Sequence, residues 1–109
     1  MTYGLTPTTI ERIQAVFADY PHIEQAILYG SRAKGNFRPG SDIDLTLLGD
    51  ELTYADLNNI AIALDDLLLP YKIDLSLYKM LDHEGLLAHI KRVGVLFYDR
   101  DRDQVRVLG

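Results

Sequence analysis

Two pairs of residues in the first half of the chain have the types and spacing needed for phosphate and metal chemistry. Gly30 and Ser31 are followed, after ten intervening residues, by Asp42 and Asp44. A glycine lacks the Cβ that would keep a phosphate away from the backbone, and a serine hydroxyl can donate to a phosphate oxygen. Neighbouring carboxylates supply the hard oxygen ligands that Mg²⁺ prefers. Together the two pairs indicate a site for a nucleoside triphosphate and a divalent cation.

The two aspartates fall in a predicted strand, which fixes the direction of their side chains. Because side chains alternate along a strand, Asp42 and Asp44 project from the same face, with Cα atoms about 6.6 Å apart. Two metal ions that share carboxylate and phosphate ligands lie roughly 3.5–4 Å apart, a span that this pair can serve. Asp74 has the matching position on a later strand. If the two strands pair, the three carboxylates converge on one patch, and bound Mg²⁺ relieves their repulsion.

Basic residues in the same segment complete the predicted site. Arg32 and Lys34 follow the serine and, with Arg38, form a locally positive loop on a chain of net charge −5. We expect Arg32 and Lys34 to neutralise a triphosphate and its leaving pyrophosphate during in-line attack on the α-phosphorus. Asp74 is expected to bind the metal ion nearer the nucleophile and to help deprotonate an incoming hydroxyl group. The alternative interpretation is a glycine turn followed by a solvent-facing acidic strand.

The elements that must position these residues follow from the spacing of the apolar side chains. The pattern predicts helix, strand, short helix, strand, helix, strand, helix and strand, in that order. The predicted strands are residues 26–29, 43–48, 72–78 and 95–98. The first predicted helix starts near Pro7, with Thr8 and Glu11 as a capping box, and ends before Pro21, and the second is a single turn at 31–35. The third is opened by Thr53 and Asp56 and runs through Leu68. The fourth is capped by Asp82 and stopped by Gly94.

This order predicts an α/β (α+β) fold in which helices pack on one face of a small mixed β-sheet. Ile43, Leu45 and Leu47 fall on one side of their strand and the aspartates on the other. One sheet face should therefore be covered and the other open and acidic. With 109 residues, the chain is expected to form one domain over residues 1–109, with a loosely held tail at 99–109.

Composition excludes several classes of protein. The absence of cysteine rules out disulfides, a thiolate nucleophile and a zinc–thiolate site. No apolar run approaches the roughly 18 residues of a membrane span, and the first residues lack a signal-peptide core, so we expect a cytoplasmic protein without a membrane partner. The net charge of −5 and the lack of a basic stripe argue against a nucleic-acid partner. The histidines His22, His83 and His89 match no ligand or catalytic spacing and are predicted to be surface or capping residues.

The spacing of Gly30-Ser31 and Asp42-x-Asp44 resembles the signature of the DNA polymerase β-like nucleotidyltransferase superfamily. The fuller runs at 30–35 and 41–45 resemble its minimal nucleotidyltransferase (MNT) branch, and the order of elements resembles that branch over about residues 8–98. The resemblance implies that the glycine and serine hold the triphosphate, that the two aspartates bind Mg²⁺ as a two-ion site, and that Asp74 is the third carboxylate.

Members of the MNT branch are of similar size and often act as antitoxins to a separately encoded HEPN-domain ribonuclease toxin. The resemblance implies transfer of AMP from ATP to a tyrosine hydroxyl of that toxin, which silences it. Lys34 stands where this branch often has arginine, which keeps the charge but loses the planar fork. At 109 residues the chain is not expected to contain the second domain that polymerases and antibiotic nucleotidyltransferases use to hold an acceptor, and a partner protein could supply that wall.

Two other functions stay open at this point. A non-catalytic antitoxin would block its toxin by binding alone, whatever the state of its carboxylates. A nucleotidyltransferase that acts on a small molecule such as an aminoglycoside would need an acceptor-binding wall, which a homo-oligomer could provide. The nucleotide preference, the acceptor and the number of nucleotides transferred are not encoded in these motifs.

Overall fold

Four β-strands form one sheet in the computed structural model, which describes residues 1–101. The strand order is β3-β2-β1-β4; β1 pairs antiparallel with β2 and β4, whereas β3 runs parallel to β2. The mixed sheet predicted from the sequence is therefore confirmed. The strands are β1 (Gln25–Tyr29), β2 (Ile43–Leu48), β3 (Ile73–Leu77) and β4 (Val95–Asp99).

The helices occur in the predicted order between these strands. A 3₁₀ turn at Tyr78–Met80, which the sequence pattern did not predict, follows β3. No helix in the part of the chain described here is long and apolar enough to cross a membrane. The helices are α1 (Pro7–Ala18), α2 (Gly30–Lys34), α3 (Tyr54–Asp65) and α4 (Glu84–Val93).

Two of the predicted helix caps are displaced. The N-cap of α1 is Thr6, whose side chain accepts from the Thr9 amide, and not the Thr8 capping box. Pro7 sets this start, because proline suits the first helical position and the cap must precede it. At α4 the cap is His83, which accepts from the Leu86 amide, and not Asp82. The prediction that His83 is a capping residue is confirmed.

The third predicted helix has the expected beginning and an earlier end. Thr53 and Asp56 form the complete capping box at the start of α3. The helix stops at Asp65 and does not reach Leu68, which has a positive φ of 55° and is 88% exposed. A residue in that left-handed conformation reverses the chain, so the helix ends before Pro70 is reached.

The main core lies between the sheet and the pair α1 and α3, on the face that the alternation of β2 predicts. Phe17 of α1 is fully buried and makes edge-on contacts with Phe97, at 6.5 Å between ring centroids, and Tyr98, at 5.6 Å. The other buried residues of α1, α3, β1 and β2 in this core are Ile13, Ile60, Leu64, Ala26, Leu28, Ile43, Leu45 and Leu47.

Helix α4 departs from the prediction that the helices pack on one face. Ile27 and Tyr29 of β1 are in register with Thr46 and Asp44, so they belong to the acidic side of the sheet. Tyr29 contacts the ring of His89 in α4 at 6.2 Å. The end of α4 lies against Ile27. Helix α4 thus covers the acidic face over β1, while Asp74 of β3 stays exposed on the same face.

The first residues of the predicted loose tail are held by hydrogen bonds. Asp99 is the last residue of β4, and Gln25 donates a hydrogen bond to its carboxylate at 3.1 Å. The Arg100 guanidinium donates to the carbonyl of Pro21 at 2.7 Å, and the Arg100 amide donates to the carbonyl of Glu24. The rest of the predicted tail, residues 102–109, lies outside the described residues.

Candidate active site

The turn from β1 into α2 places Gly30 against an acidic side chain. Gly30 has φ of +73°, in the left-handed region that favours glycine. A Cβ at this position would overlap with Oδ2 of Asp44. Both the backbone conformation and the available space therefore require glycine at this position. The absence of a Cβ lets the carboxylate of Asp44 lie against the start of α2, next to Ser31.

Replacing Gly30 by alanine tests this close approach. The left-handed conformation alone costs a non-glycine residue about 1–3 kcal/mol. Gly35 offers a matched control, because it has φ of +90° but open space around a Cβ. We expect Gly30→Ala to lower the free energy of unfolding, measured in urea, by more than Gly35→Ala does, since only the first must also displace Asp44. Equal losses would show that the carboxylate moves aside freely.

The structure brings Asp44 and Asp74 side by side. They are direct partners in the parallel pairing of β2 with β3, where strands lie about 4.8 Å apart. Asp44 is half-buried, whereas Asp74 is exposed. Asp42 is also exposed and precedes the first residue of β2. The predicted juxtaposition of two strands is therefore confirmed, and the roles of these carboxylates stay a prediction.

The charges of these carboxylates act on one another. The pKa of Asp44 is raised, first by burial, then by the charges of Asp74 and Asp42, while the Arg32 guanidinium opposes the shift. Mutually repelling oxygens on a half-buried patch form a donor set that suits a hard divalent cation. Across residues 1–101, however, no three acidic or histidine side chains are already arranged as a metal cluster. Asp44 is nevertheless close enough to Asp74 and Asp42 for their charges to act on it, and the role of the three as metal ligands stays a prediction.

The floor beside the carboxylates is polar and closed. Ser76 donates from its hydroxyl to that of Thr46 at 2.9 Å, and Thr46 is fully buried. Burial raises the pKa of Tyr29, a hydrogen bond to Ser76 lowers it, and the charges of Asp74 and Asp44 raise it further. The tyrosine hydroxyl therefore stays protonated and serves as a packed wall of the site.

Arg32 does not lie where the sequence predicted. Its side chain is 1% exposed, and its guanidinium donates to the carbonyls of Ser41, at 3.1 and 2.8 Å, Pro39, at 3.3 Å, and Tyr3, at 2.9 Å. With its donors directed inward, this side chain cannot also hold a triphosphate. The prediction that Arg32 contacts the nucleotide is corrected: it fastens the loop that leads into β2.

Aromatic rings enclose the same guanidinium. Arg32 lies over the ring of Phe37 at 5.3 Å and over that of Tyr71 at 4.8 Å, measured to the centroids. Such stacking is favourable when the cation is desolvated. The buried charge still reaches the site, because it lowers the pKa of Asp44 through space.

Lys34, by contrast, is exposed at the end of α2, and Ser31 is half-buried in its first turn.

His89 is the residue near the loop that the sequence analysis missed. Its Nε2 accepts a hydrogen bond from the Gly30 amide at 3.1 Å. His89 is half-buried, and it accepts from the first amide of α2, a partner that the sequence analysis did not identify. No local spacing could have revealed it, because 59 residues separate the partners and the packing of α4 on the acidic face was not predicted.

Comparison with known proteins agrees with this fold. The family model described as polymerase beta, nucleotidyltransferase, matches residues 11–103. No curated protein matches the chain. A chain from a toxin–antitoxin crystal structure with AMP-PNP has 22% identity and a TM-score of 0.68, over 86% of this chain and 76% of that one. A chain from the complex of a tri-AMPylated Shewanella oneidensis HEPN toxin with its MNT antitoxin has 19% identity and a TM-score of 0.64, over 89% and 75%.

Proposed function

The chain belongs to the polymerase beta nucleotidyltransferase family, and from this premise we propose that it transfers AMP from ATP to a tyrosine hydroxyl of a partner protein, using Mg²⁺. The observation that carries the proposal is the register of Asp44 with Asp74 beside Gly30. We further propose that the partner is a HEPN-domain toxin, which the chain silences as its antitoxin. The AMPylated HEPN toxin in the similar Shewanella complex supports this acceptor.

Each residue of the site has a role in the proposed reaction. Gly30 and Ser31 hold the triphosphate, and the exposed Lys34 neutralises it from the end of α2. Asp42 and Asp44 hold the metal, with Asp74 as the third carboxylate. When bound, Mg²⁺ neutralises charge on the phosphates and steadies the attacking and leaving oxygens.

The transfer itself is an in-line displacement. The tyrosine oxygen of the partner forms a bond to the α-phosphorus while the bond from that phosphorus to the bridging oxygen breaks, and pyrophosphate leaves. Asp74 accepts the proton of the attacking hydroxyl. Asp74 is exposed on the edge strand β3, so a partner's tyrosine can approach it from that side of the sheet. Arg32 takes part through the shape of the loop and not through contact with the nucleotide.

The proposal predicts a mass change on a second protein. The chain is expressed with the product of its neighbouring gene, and both proteins are analysed by intact mass after incubation with ATP and Mg²⁺. We expect the partner to gain the mass of one or more AMP groups on tyrosine, and removal of the metal with EDTA to abolish the gain. An unmodified partner in a stable complex with folded protein would contradict the transfer.

A further inference from the structure

A hydrogen bond between α4 and the start of α2 joins parts of the chain that lie far apart in the sequence. The Gly30 amide donates to His89 Nε2 at 3.1 Å, and the His89 ring meets the edge of Tyr29, the residue before the glycine. A neutral imidazole has one acceptor nitrogen, and this geometry assigns that role to Nε2. The histidine therefore contacts both residues at the point where β1 turns into α2.

We propose that His89 is a positioning residue: it holds the backbone at Gly30, where β1 turns into α2, in the conformation that binds a nucleoside triphosphate. This inference rests on the proposed function. A glycine loses more conformational freedom on ordering than any other residue. At Gly30 the carboxylate of Asp44 lies against Cα and His89 holds the amide, so the backbone is restrained from two sides. A loop ordered before the ligand arrives spares the ligand that cost.

Helix α4 gives the histidine a fixed base. The His83 side chain caps its start by accepting from the Leu86 amide at 2.9 Å. Ile90, next to His89, is buried, and Gly94 ends the helix against Ile27 of β1. A contact made from an anchored helix is more exact than one made from a loop. His83, the N-cap of α4, also supplies a control, because its substitution alters the helix and leaves the hydrogen bond to Gly30 in place.

The test compares three variants of the full chain by calorimetric titration with Mg²⁺ and the non-transferable ATP analogue that has a methylene group between the α- and β-phosphates. We expect His89→Leu to weaken binding about tenfold, because the Gly30 amide loses its acceptor. His89→Gln should bind within about threefold of the original chain, since its Oε1 reaches about as far as Nε2 and also accepts. His83→Ala should lower the melting temperature because α4 loses its cap, and it should leave the affinity within about threefold because the hydrogen bond it removes is to Leu86 and not to Gly30.

A second measurement observes the hydrogen bond without any nucleotide. In ¹⁵N-labelled protein, scalar coupling across the bond between the Gly30 amide nitrogen and His89 Nε2 is expected in the original chain and absent in His89→Leu. Its absence from the original chain would overturn the proposal. So would unchanged affinity in His89→Leu, or an equal loss of affinity in His83→Ala. Tighter binding in His89→Leu would also overturn it, because the histidine would then compete with phosphate for the amide.

Failure of the proposed function gives a different result. If the original chain binds the analogue and His89→Leu weakens that binding, but no AMP reaches any partner, the positioning role stands and the transfer reaction falls. If the original chain does not bind the analogue, both fall. Affinity and adduct mass thus separate the two proposals.

Discussion

Replacing Asp44 by Asn is expected to reduce AMP transfer at least about 100-fold, because even groups that only support a metal ligand contribute about 10–100-fold. The substitution keeps the size of the side chain and removes the charge that lies between Asp74 and Gly30. The initial rate of adduct formation on the partner measures the effect. Asp65→Asn, on the exposed surface of α3, is the matched control and should transfer AMP at the original rate.

The same substitution should stabilise the metal-free fold at neutral pH. The pKa of Asp44 is raised by burial and by its acidic neighbours. A carboxyl with a raised folded-state pKa favours the fold while protonated, and that contribution is lost as pH rises through the folded-state pKa. In EDTA at pH 7, Asp44→Asn should therefore melt above the original chain, with the difference shrinking toward about pH 4. A lower melting temperature at pH 7 would mean that the carboxylate has a compensating partner.

Asp44→Asn also separates catalysis from simple occlusion. If the chain neutralises a toxin by covering it, the variant should still protect cells, because it keeps the surface and the fold. If neutralisation requires AMP transfer, protection should be lost together with the adduct. Growth of cells that express the toxin with either form of the chain makes the distinction.

Arg32→Ala is expected to lower the free energy of unfolding by at least about 3 kcal/mol, since hydrogen bonds to a charged group contribute about 1.5–3 kcal/mol each. Three carbonyls lose their donor in this variant, those of Tyr3, Pro39 and Ser41. Urea denaturation measures the loss. Arg32→Lys should recover only part of it, because an ammonium group lacks the planar fork that reaches all three.

Lys34 is the control for a purely electrostatic role. It is exposed at the end of the same helix, so Lys34→Ala should change the free energy of unfolding by no more than about 0.5 kcal/mol. Its expected effect is weaker nucleotide binding. The interpretation of Arg32 as structural would be contradicted if Arg32→Ala kept full stability and lost nucleotide binding, as Lys34→Ala is expected to do.

The parts of this site that could be predicted from sequence depend on local regularities. Alternation along β2 and β3 correctly placed Asp44 and Asp74 on the same side, because the side-chain period of a strand is set by its own backbone. The capping box of Thr53 and Asp56 needed only residues three apart. Order of elements and the mixed sheet follow from the same kind of pattern.

The parts that could not be predicted depend on packing between distant segments. Arg32 is buried because Tyr71, on the approach to β3, and the carbonyl of Tyr3 enclose it, and nothing in its own neighbourhood of sequence indicates either contact. His89 reaches Gly30 because α4 crosses to the acidic face of the sheet. The position of Arg32 two residues after Gly30 suggested a phosphate contact, whereas the tertiary structure directs its donors to backbone carbonyls.

The position of β3 at the edge of the sheet has a consequence for how the site opens. Asp44 lies on an interior strand and Asp74 on an outer one, and we expect the outer strand to open locally more readily than the interior strand. A ligand that bridges them fastens the outer strand to its neighbour, and by linkage it suppresses the partial unfolding that would peel β3 away. Ligand binding and the pairing of β3 with β2 are then thermodynamically coupled. The rate of amide hydrogen exchange in β3 should therefore fall when a ligand occupies the site.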